Sequence, residues 1–150
     1  MGCAEDEGSE PICFTEDGNF FLGEEVSGTG GDYYLGEMLG AGGFASVKAG
    51  IHADTGLRVA AKIMDAASAA EEEHKREILT MSALKHPNIV ELKDVLEAGG
   101  HTYLIMELAK GGELFAKLCE IGRFTEDEAR FYWQQLLQGI RFVPGEFDDD

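Results

Sequence analysis

The stretch that decides the fold is residues 39–62, which read LGAGGFASVKAGIHADTGLRVAAK. Gly40 and Gly42 are separated by one residue, and glycine lets a backbone approach a phosphate without interference from a Cβ atom. Residues 44–51 then alternate in a way that is typical of a β-strand. The stretch therefore predicts a strand, a glycine turn, a second strand, a tight turn, and a third strand that carries Lys62.

A pair of glycines alone is a weak signal for a phosphate site, so the surrounding sequence has to decide between the known loops. A dinucleotide-binding Rossmann loop needs a helix directly after the glycines, whereas residues 44–51 have the pattern of a strand. A P-loop ends in Gly-Lys-Ser or Gly-Lys-Thr, and this stretch contains neither. The arrangement that fits is a phosphate loop in a β-hairpin, with a lysine on the next strand.

Residues 39–47, together with VAAK at residues 59–62, resemble the N-terminal lobe of eukaryotic protein kinases. Ala45 stands where the family pattern has its third glycine. The resemblance covers residues 33–142 and is strongest to calcium/calmodulin-dependent and AMP-activated-like Ser/Thr kinases. It implies an α+β fold: a protein-kinase-like small lobe with a five-stranded antiparallel sheet and one αC-type helix, then a hinge and two helices of a truncated large lobe.

The charge of the chain is concentrated at its two ends. The formal net charge of −17 argues against a nucleic-acid partner and against an anionic-membrane surface. Ten acidic residues and no lysine or arginine precede Lys48, and four of the last five residues are acidic. We therefore expect a disordered acidic leader at residues 1–31, an ATP-binding lobe with its hinge at 32–109, the start of a large lobe at 110–142, and an acidic tail outside the family pattern at 143–150.

The first residues carry no secretion signal. Residues 1–6 read MGCAED, which is acidic where a signal peptide is basic, and no run of about 18 apolar residues follows that could cross a membrane. We therefore expect an intracellular, cytoplasmic protein. Gly2 and Cys3 could carry a myristoyl and a palmitoyl chain, but Asp6 stands where the myristoylation motif has Ser or Thr, which argues against acylation.

The cysteine and histidine residues predict neither a disulfide framework nor a metal site. The three cysteines are widely spaced, as is typical of free thiols. The four histidines have no ligand spacing with cysteines or carboxylates. We therefore expect no bound metal.

A helix is predicted over residues 68–84, and its pattern places one carboxylate on an apolar face. Glu77 shares that face with Met81 and Leu84. A carboxylate there needs either a cation or contact with solvent. The residues alone leave both alternatives open. The resemblance favours an ion pair with Lys62, because protein kinases use this pair to orient the lysine on the α- and β-phosphates of ATP.

Two more strands follow, at residues 89–96 and 102–108, with a hairpin turn at residues 98–101 between them. Residues 106–115 read MELAKGGELF and are very similar to the linker between the two kinase lobes. The resemblance implies that Met106 lies beside the adenine pocket. It also implies that the backbones of residues 107 and 109 bind the adenine edge, with Glu113 near the ribose or a basic substrate residue.

The ATP site implied by the resemblance draws on the glycine turn, the lysine strand, the helix and the linker. Met106, Leu108 and Ala60 would also be apolar as ordinary core residues, so that alternative stays open. The implied ATP-site residues are Leu39, Gly40, Ala41, Gly42, Gly43, Phe44, Ala45, Val47, Ala60, Lys62, Glu77, Met106, Glu107, Ala109 and Glu113.

Two helices are predicted near the end of the sequence. The first covers residues 112–119, and a capping box at residues 125–128 begins the second. The second helix has an apolar face that includes Trp133, Leu136 and Ile140. An exposed stripe of this kind favours self-association or aggregation, and the alternative is a protein partner that covers the helix.

The catalytic elements of the family are not found in this sequence. It contains neither a His-Arg-Asp catalytic loop nor an Asp-Phe-Gly motif, and residues 143–150 match nothing in the family. We therefore expect no catalytic residue and no magnesium ligand here, although the family uses Mg-ATP. The expected function is the ATP-binding portion of a Ser/Thr protein kinase, inactive by itself. The alternative is a non-catalytic interaction module or a gene relic.

Overall fold

The computed structural model describes residues 12–14, 20–28, 30–43, 45–65 and 71–143. Within these ranges the chain forms strands and helices in the order expected for an α+β protein. The strands are β1 (Ile12–Phe14), β2 (Phe20–Leu22), β3 (Glu24–Gly28), β4 (Gly31–Ala41), β5 (Ala45–His52), β6 (Arg58–Asp65), β7 (Leu92–Ala98) and β8 (His101–Glu107). The helices are α1 (Glu71–Ala83), α2 (Leu114–Ile121) and α3 (Glu126–Phe142).

The main sheet is antiparallel throughout, with the strand order β3-β4-β5-β6-β8-β7. The predicted α+β lobe with one helix beside an antiparallel sheet is confirmed. The predicted number of strands in the sheet is wrong, because the described residues contribute six where five were expected. β1 and β2 pair separately, with Ile12 opposite Leu22.

The additional strand comes from the segment that was predicted to be a disordered leader. That prediction is wrong for Glu24–Gly28, which pair with residues 31–35 of β4. The side chain of Val26 is only 3% exposed. The acidic composition of this segment indicated disorder, whereas one buried side chain and pairing with β4 are enough to add a short strand to the edge of the sheet.

The core lies inside the curve of the sheet, where β3 and β7 at its two edges contact each other. Side chains from both edges and from the central strands form one apolar cluster there. The two edges come close together at Gly28, since a Cβ atom on this residue would lie 1.9 Å from Cδ2 of Leu96. The cluster consists of Val26, Tyr33, Leu35, Val59, Ala61, Leu96, Tyr103 and Ile105.

The predicted hairpin turn at residues 98–101 is confirmed. Ala98 pairs with His101, and the two residues between them have positive φ angles, 57° at Gly99 and 79° at Gly100. Two such residues give the turn a twist that matches that of the strands, and glycine adopts these angles without strain. The preceding strand starts later than predicted, at Leu92, because residues 87–89 form a turn instead.

The helices agree with the predictions to within a few residues. α1 occupies most of the predicted range, while residues 68–70 lie outside the described part of the chain. α2 and α3 follow the linker. No helix among the described residues is long and apolar enough to cross a membrane.

Helix α3 contacts the loop between α1 and β7. The side-chain amide of Asn88 donates a hydrogen bond to Oε1 of Gln135 at 3.3 Å. A Cβ atom at Gly139 would lie 3.3 Å from the carbonyl oxygen of Asn88, so the helix backbone passes close to this loop. The ring centroids of His86 and Phe142 are 5.0 Å apart. These contacts connect the end of the chain to the loop that follows α1.

The predicted capping box at the start of α3 is confirmed. The backbone N–H of Thr125 donates to Oε2 of Glu128 at 2.9 Å, and the N–H of Glu128 donates to Oγ1 of Thr125 at 3.3 Å. These bonds satisfy two backbone donors that the helix itself leaves unpaired. The backbone N–H of Thr125, followed by its hydroxyl, lowers the pKa of Glu128 below its usual value.

This capping box is expected to make the stability of α3 depend on pH. Because the pKa of Glu128 is lowered in the folded state, its contribution is complete above the ordinary glutamate pKa of about 4.3 and is lost as the pH falls through the lowered value. Glu128→Gln keeps a hydrogen-bond acceptor but does not titrate. In thermal melts followed by circular dichroism, the advantage of the wild type over this variant should shrink as the pH falls from about 7 to about 3. A constant difference would contradict the assignment.

Candidate functional site

The strand register places a lysine among small and apolar side chains on one face of the sheet. Val47 lies opposite Lys62, and Ala60 lies opposite Met106. Directly opposed residues on neighbouring antiparallel strands project to the same face, and alternate residues of one strand share a face. Val47, Ala60, Lys62 and Met106 therefore share the face that points away from the core cluster.

The glycine turn borders this face. Gly40 pairs with Val47 across β4 and β5, and the N–H of Gly42 donates to the carbonyl oxygen of Ala45 at 2.8 Å. Apart from its chain neighbours, no atom of the described residues would lie within 4 Å of a Cβ atom at Gly40 or at Gly43, so the space beside this part of the turn is open. The backbone of the turn is therefore accessible to a ligand at the end of the face that holds Lys62.

The ion pair predicted between Lys62 and Glu77 is confirmed. Nζ of Lys62 lies 2.5 Å from Oε1 of Glu77, which α1 contributes. The two side chains are 26% and 34% exposed. Ion pairs that are this exposed contribute little to stability, so the main effect of the pair is to fix the position of the lysine. An ammonium group has three donors, and those not used by Glu77 are free to meet an anion on the accessible side.

The linker after β8 supplies the remaining predicted residues. Glu107 ends β8, and its N–H donates to the carbonyl oxygen of Glu91 at 2.9 Å. The N–H of Ala109 has no hydrogen-bond partner among the described residues. Glu113 is the N-cap residue of α2, and its side chain makes no capping hydrogen bond. The N–H of Ala109 and the carboxylate of Glu113 are therefore available to a ligand on the linker.

The predicted site residues differ in how accessible they are. Phe44 lies outside the described residues. Ala60 is buried, while Ala45, Val47, Lys62, Glu77 and Met106 are half-buried. The exposed ones are Leu39, Gly40, Ala41, Gly42, Gly43, Glu107, Ala109 and Glu113. This distribution gives a partly buried apolar strip that ends at the lysine and is bordered by exposed backbone on two sides.

The donor groups of the described residues show no metal centre. Nowhere in these ranges do three or more His, Cys, Asp or Glu side chains come together in a metal-binding arrangement. The ammonium group of Lys62 places a cation on the face that holds Val47, Ala60 and Met106.

A sequence model of the protein kinase domain matches residues 33–145 of this chain. The chain belongs to the protein kinase family. In this family's terms, β4 to β8 with α1 form the small lobe, and α2 and α3 begin the large lobe. The family resemblance drawn from the glycine turn, the lysine strand and the linker is thus confirmed.

Several Ser/Thr kinases of plants are similar to this protein kinase chain. CBL-interacting serine/threonine-protein kinase 9 of Arabidopsis thaliana is 43% identical over 116 residues, which cover 75% of this chain and 26% of that protein. Serine/threonine-protein kinase SAPK9 of Oryza sativa subsp. japonica is 40% identical over 113 residues, covering 75% of this chain and 31% of that protein. The chain therefore spans about a quarter to a third of the length of these relatives.

Two features of this protein kinase lobe were missed from the sequence. Leu104 lies opposite Lys62 on the site face and is completely buried, which the alternation of residues 102, 104 and 106 could have shown. β3 was missed together with its ion pair, in which Oε2 of Glu24 lies 3.0 Å from Nζ of Lys48. No local pattern indicates this pair, because its partners lie on strands that are not neighbours.

Proposed function

We propose that this chain is the ATP-binding portion of a Ser/Thr protein kinase. The observation that carries the proposal is the 2.5 Å ion pair between Lys62 and Glu77, on the face that also holds Val47, Ala60 and Met106. An isolated surface ion pair would indicate nothing. Here the lysine is at the end of an apolar strip and beside an open glycine turn, and membership of the family adds independent support.

The residues present fit an adenine nucleotide. Val47 and Ala60, with Leu39 and Met106, offer an apolar surface for a flat base. The free N–H of Ala109 can donate to the base, in keeping with the role that the family gives to this linker. Glu113, at the start of α2, can accept a hydrogen bond from a ribose hydroxyl.

The glycine turn and Lys62 would bind the phosphates. Backbone N–H groups of the turn can donate to phosphate oxygens because no side chain of Gly40 or Gly43 intervenes. The ammonium group of Lys62 supplies a positive charge, and Glu77 holds it in place. ATP itself supplies the phosphoryl group that the family transfers. Transfer to protein Ser or Thr is proposed only together with a large lobe that carries the family's catalytic loop.

A thermal-shift titration tests the proposal. Saturation of the site at 100 times Kd should stabilise the folded chain by about 2.7 kcal/mol, which is roughly 5–10 °C in Tm for a domain of this size. Inorganic tripolyphosphate at the same concentration is the control, because it carries the charge without the base. No shift with ATP, or an equal shift with tripolyphosphate, would refute an adenine nucleotide site.

A second candidate function, a non-catalytic interaction module, is favoured by one observation. Helix α3 exposes large apolar side chains, since Trp133 is 59% exposed, Leu136 is 53% exposed and Ile140 is 50% exposed. A stripe of this kind is typical of a surface that another polypeptide covers. The same titration distinguishes the two candidates, because the interaction module predicts a cooperative melt that ATP does not change.

A further inference from the structure

Strand β3 lies before residue 33, where the match to the protein kinase domain begins, yet it is built into the lobe. Its five residues pair with residues 31–35 of β4. Val26, at its centre, is 3% exposed and belongs to the same apolar cluster as Leu96 and Ile105. The strand therefore buries apolar surface together with residues of the family domain.

The hairpin formed by β3 and β4 is also held against β7. A Cβ atom at Gly28 would lie 1.9 Å from Cδ2 of Leu96, and one at Gly30 would lie 2.1 Å from Oδ2 of Asp94. The hydroxyl of Tyr33 donates to the same Oδ2 at 3.4 Å. Burial, and then the charge of Asp94, raises the pKa of Tyr33, so this hydroxyl stays protonated as a donor. These short distances show that the β3–β4 hairpin packs directly against β7, at the opposite edge of the sheet.

The pairing divides β4 into two halves. Residues 31–35 pair with β3, and residues 33–35 also pair with β5, whereas β3 does not extend alongside residues 36–41. The register with β5 is irregular between Leu35 and Met38, and again between Met38 and Gly40. Among the described residues, the half-strand that leads into the glycine turn therefore pairs only with β5, although β2 also contacts β4.

An ion pair marks the boundary between the two halves. Glu24, the first residue of β3, lies opposite Leu35, the last residue of the doubly paired half. Its Oε2 lies 3.0 Å from Nζ of Lys48, and Lys48 pairs with Met38 in the singly paired half. β3 thus pairs with the first half of β4 and, through Lys48, also contacts β5, the strand that pairs with the second half.

We propose that β3 is a positioning strand for the nucleotide site: it immobilises the first half of β4, so that the glycine turn moves only from residue 36 onward. This inference rests on the proposed ATP site. Without β3, more of β4 has to be ordered when a nucleotide binds, and ordering lowers affinity. The positioning residues are Val26 and Gly28, together with the pair of Glu24 and Lys48.

Gly28→Ala tests the proposal, because its added methyl group displaces Leu96 and moves the hairpin away from β7. Ser27→Ala is the matched control, since Ser27 is exposed and lies next to Gly28 on the same strand. Affinity for ATP should fall by about 2- to 10-fold in Gly28→Ala, at a temperature where it is fully folded, and should stay unchanged in Ser27→Ala. Amide hydrogen exchange over residues 36–41 should be faster in Gly28→Ala alone.

A folded Gly28→Ala variant with unchanged ATP affinity and unchanged hydrogen exchange over residues 36–41 would overturn the proposal. If its Tm is also lower, β3 contributes to stability but does not position the glycine turn. If Gly28→Ala does not fold, Glu24→Gln is compared with Glu25→Gln, whose side chain is also exposed. Faster exchange over residues 36–41 in Glu24→Gln alone supports the proposal, and equal exchange overturns it. A wild-type chain that binds no ATP refutes the proposed function, and hydrogen exchange then decides the role of β3 by itself.

Discussion

Replacing Ile105 with alanine is expected to lower the free energy of unfolding by about 2–5 kcal/mol. Ile105 is completely buried, in a strand that pairs with β6 on one side and β7 on the other. Its side chain belongs to the cluster that both edges of the sheet share. Removing three carbon atoms there loses apolar burial and leaves a cavity, which is large against a typical domain stability of about 5–15 kcal/mol.

Urea unfolding at equilibrium measures this loss, and Leu79→Ala is the control. Leu79 is also aliphatic but is 71% exposed on α1, so its replacement should change the free energy of unfolding by less than about 0.5 kcal/mol. A loss below about 1 kcal/mol for Ile105→Ala would contradict a closed core between the two edges of the sheet.

Replacing Lys62 with methionine is expected to weaken ATP binding by about 10- to 100-fold. Methionine keeps much of the length and the apolar stem of the lysine side chain but loses its charge. A hydrogen bond to a charged group is worth about 1.5–3 kcal/mol, which corresponds to this range. Glu77 loses its partner, but at 34% exposure it remains hydrated, so the variant should still fold.

Isothermal titration of ATP into the wild type and variants measures this effect. Lys85→Met is the control, because it changes the net charge by the same amount at a side chain that is 86% exposed. Its affinity should stay within about twofold of the wild type. Unchanged affinity in Lys62→Met would exclude Lys62 from the phosphate site. Glu77→Gln should have a smaller effect, since it loosens the lysine without removing it.

Local patterns and family spacing predicted the parts of the fold that depend on neighbouring residues. The turn at Gly99 and Gly100 and the capping box of Thr125 and Glu128 each have a short sequence signature, and both were found. The ion pair of Lys62 with Glu77 joins distant residues, and it could be predicted because the family spacing indicated which helix carboxylate to choose. The ATP-binding roles of the site residues stay predictions.

The position of β3, which was missed, depends on a contact with a strand that is distant in sequence. β3 has a single buried apolar side chain, Val26, in a strongly acidic segment, so neither composition nor periodicity indicated a strand. Its position follows from the space beside Leu96 and Asp94, which exists only after the sheet has curved. The Ile12–Phe14 and Phe20–Leu22 strands were missed for a different reason: the sequence between them contains Asp-Gly at residues 17 and 18, a local hairpin signal, but the acidic composition favoured a disordered leader.

The contact between α3 and the loop after α1 anchors one end of α1. Leu84, just beyond the helix, is 8% exposed, and the side chain of Asn88 is hydrogen-bonded to that of Gln135. The C-terminal end of α1 is therefore held in place. Glu77 lies seven residues, or about 10 Å, from Leu84 along the helix axis. A swing of about 10° would therefore carry its carboxylate roughly 2 Å, enough to part it from Lys62. The distance between Lys62 and Glu77 therefore depends on the orientation of α1 about that end.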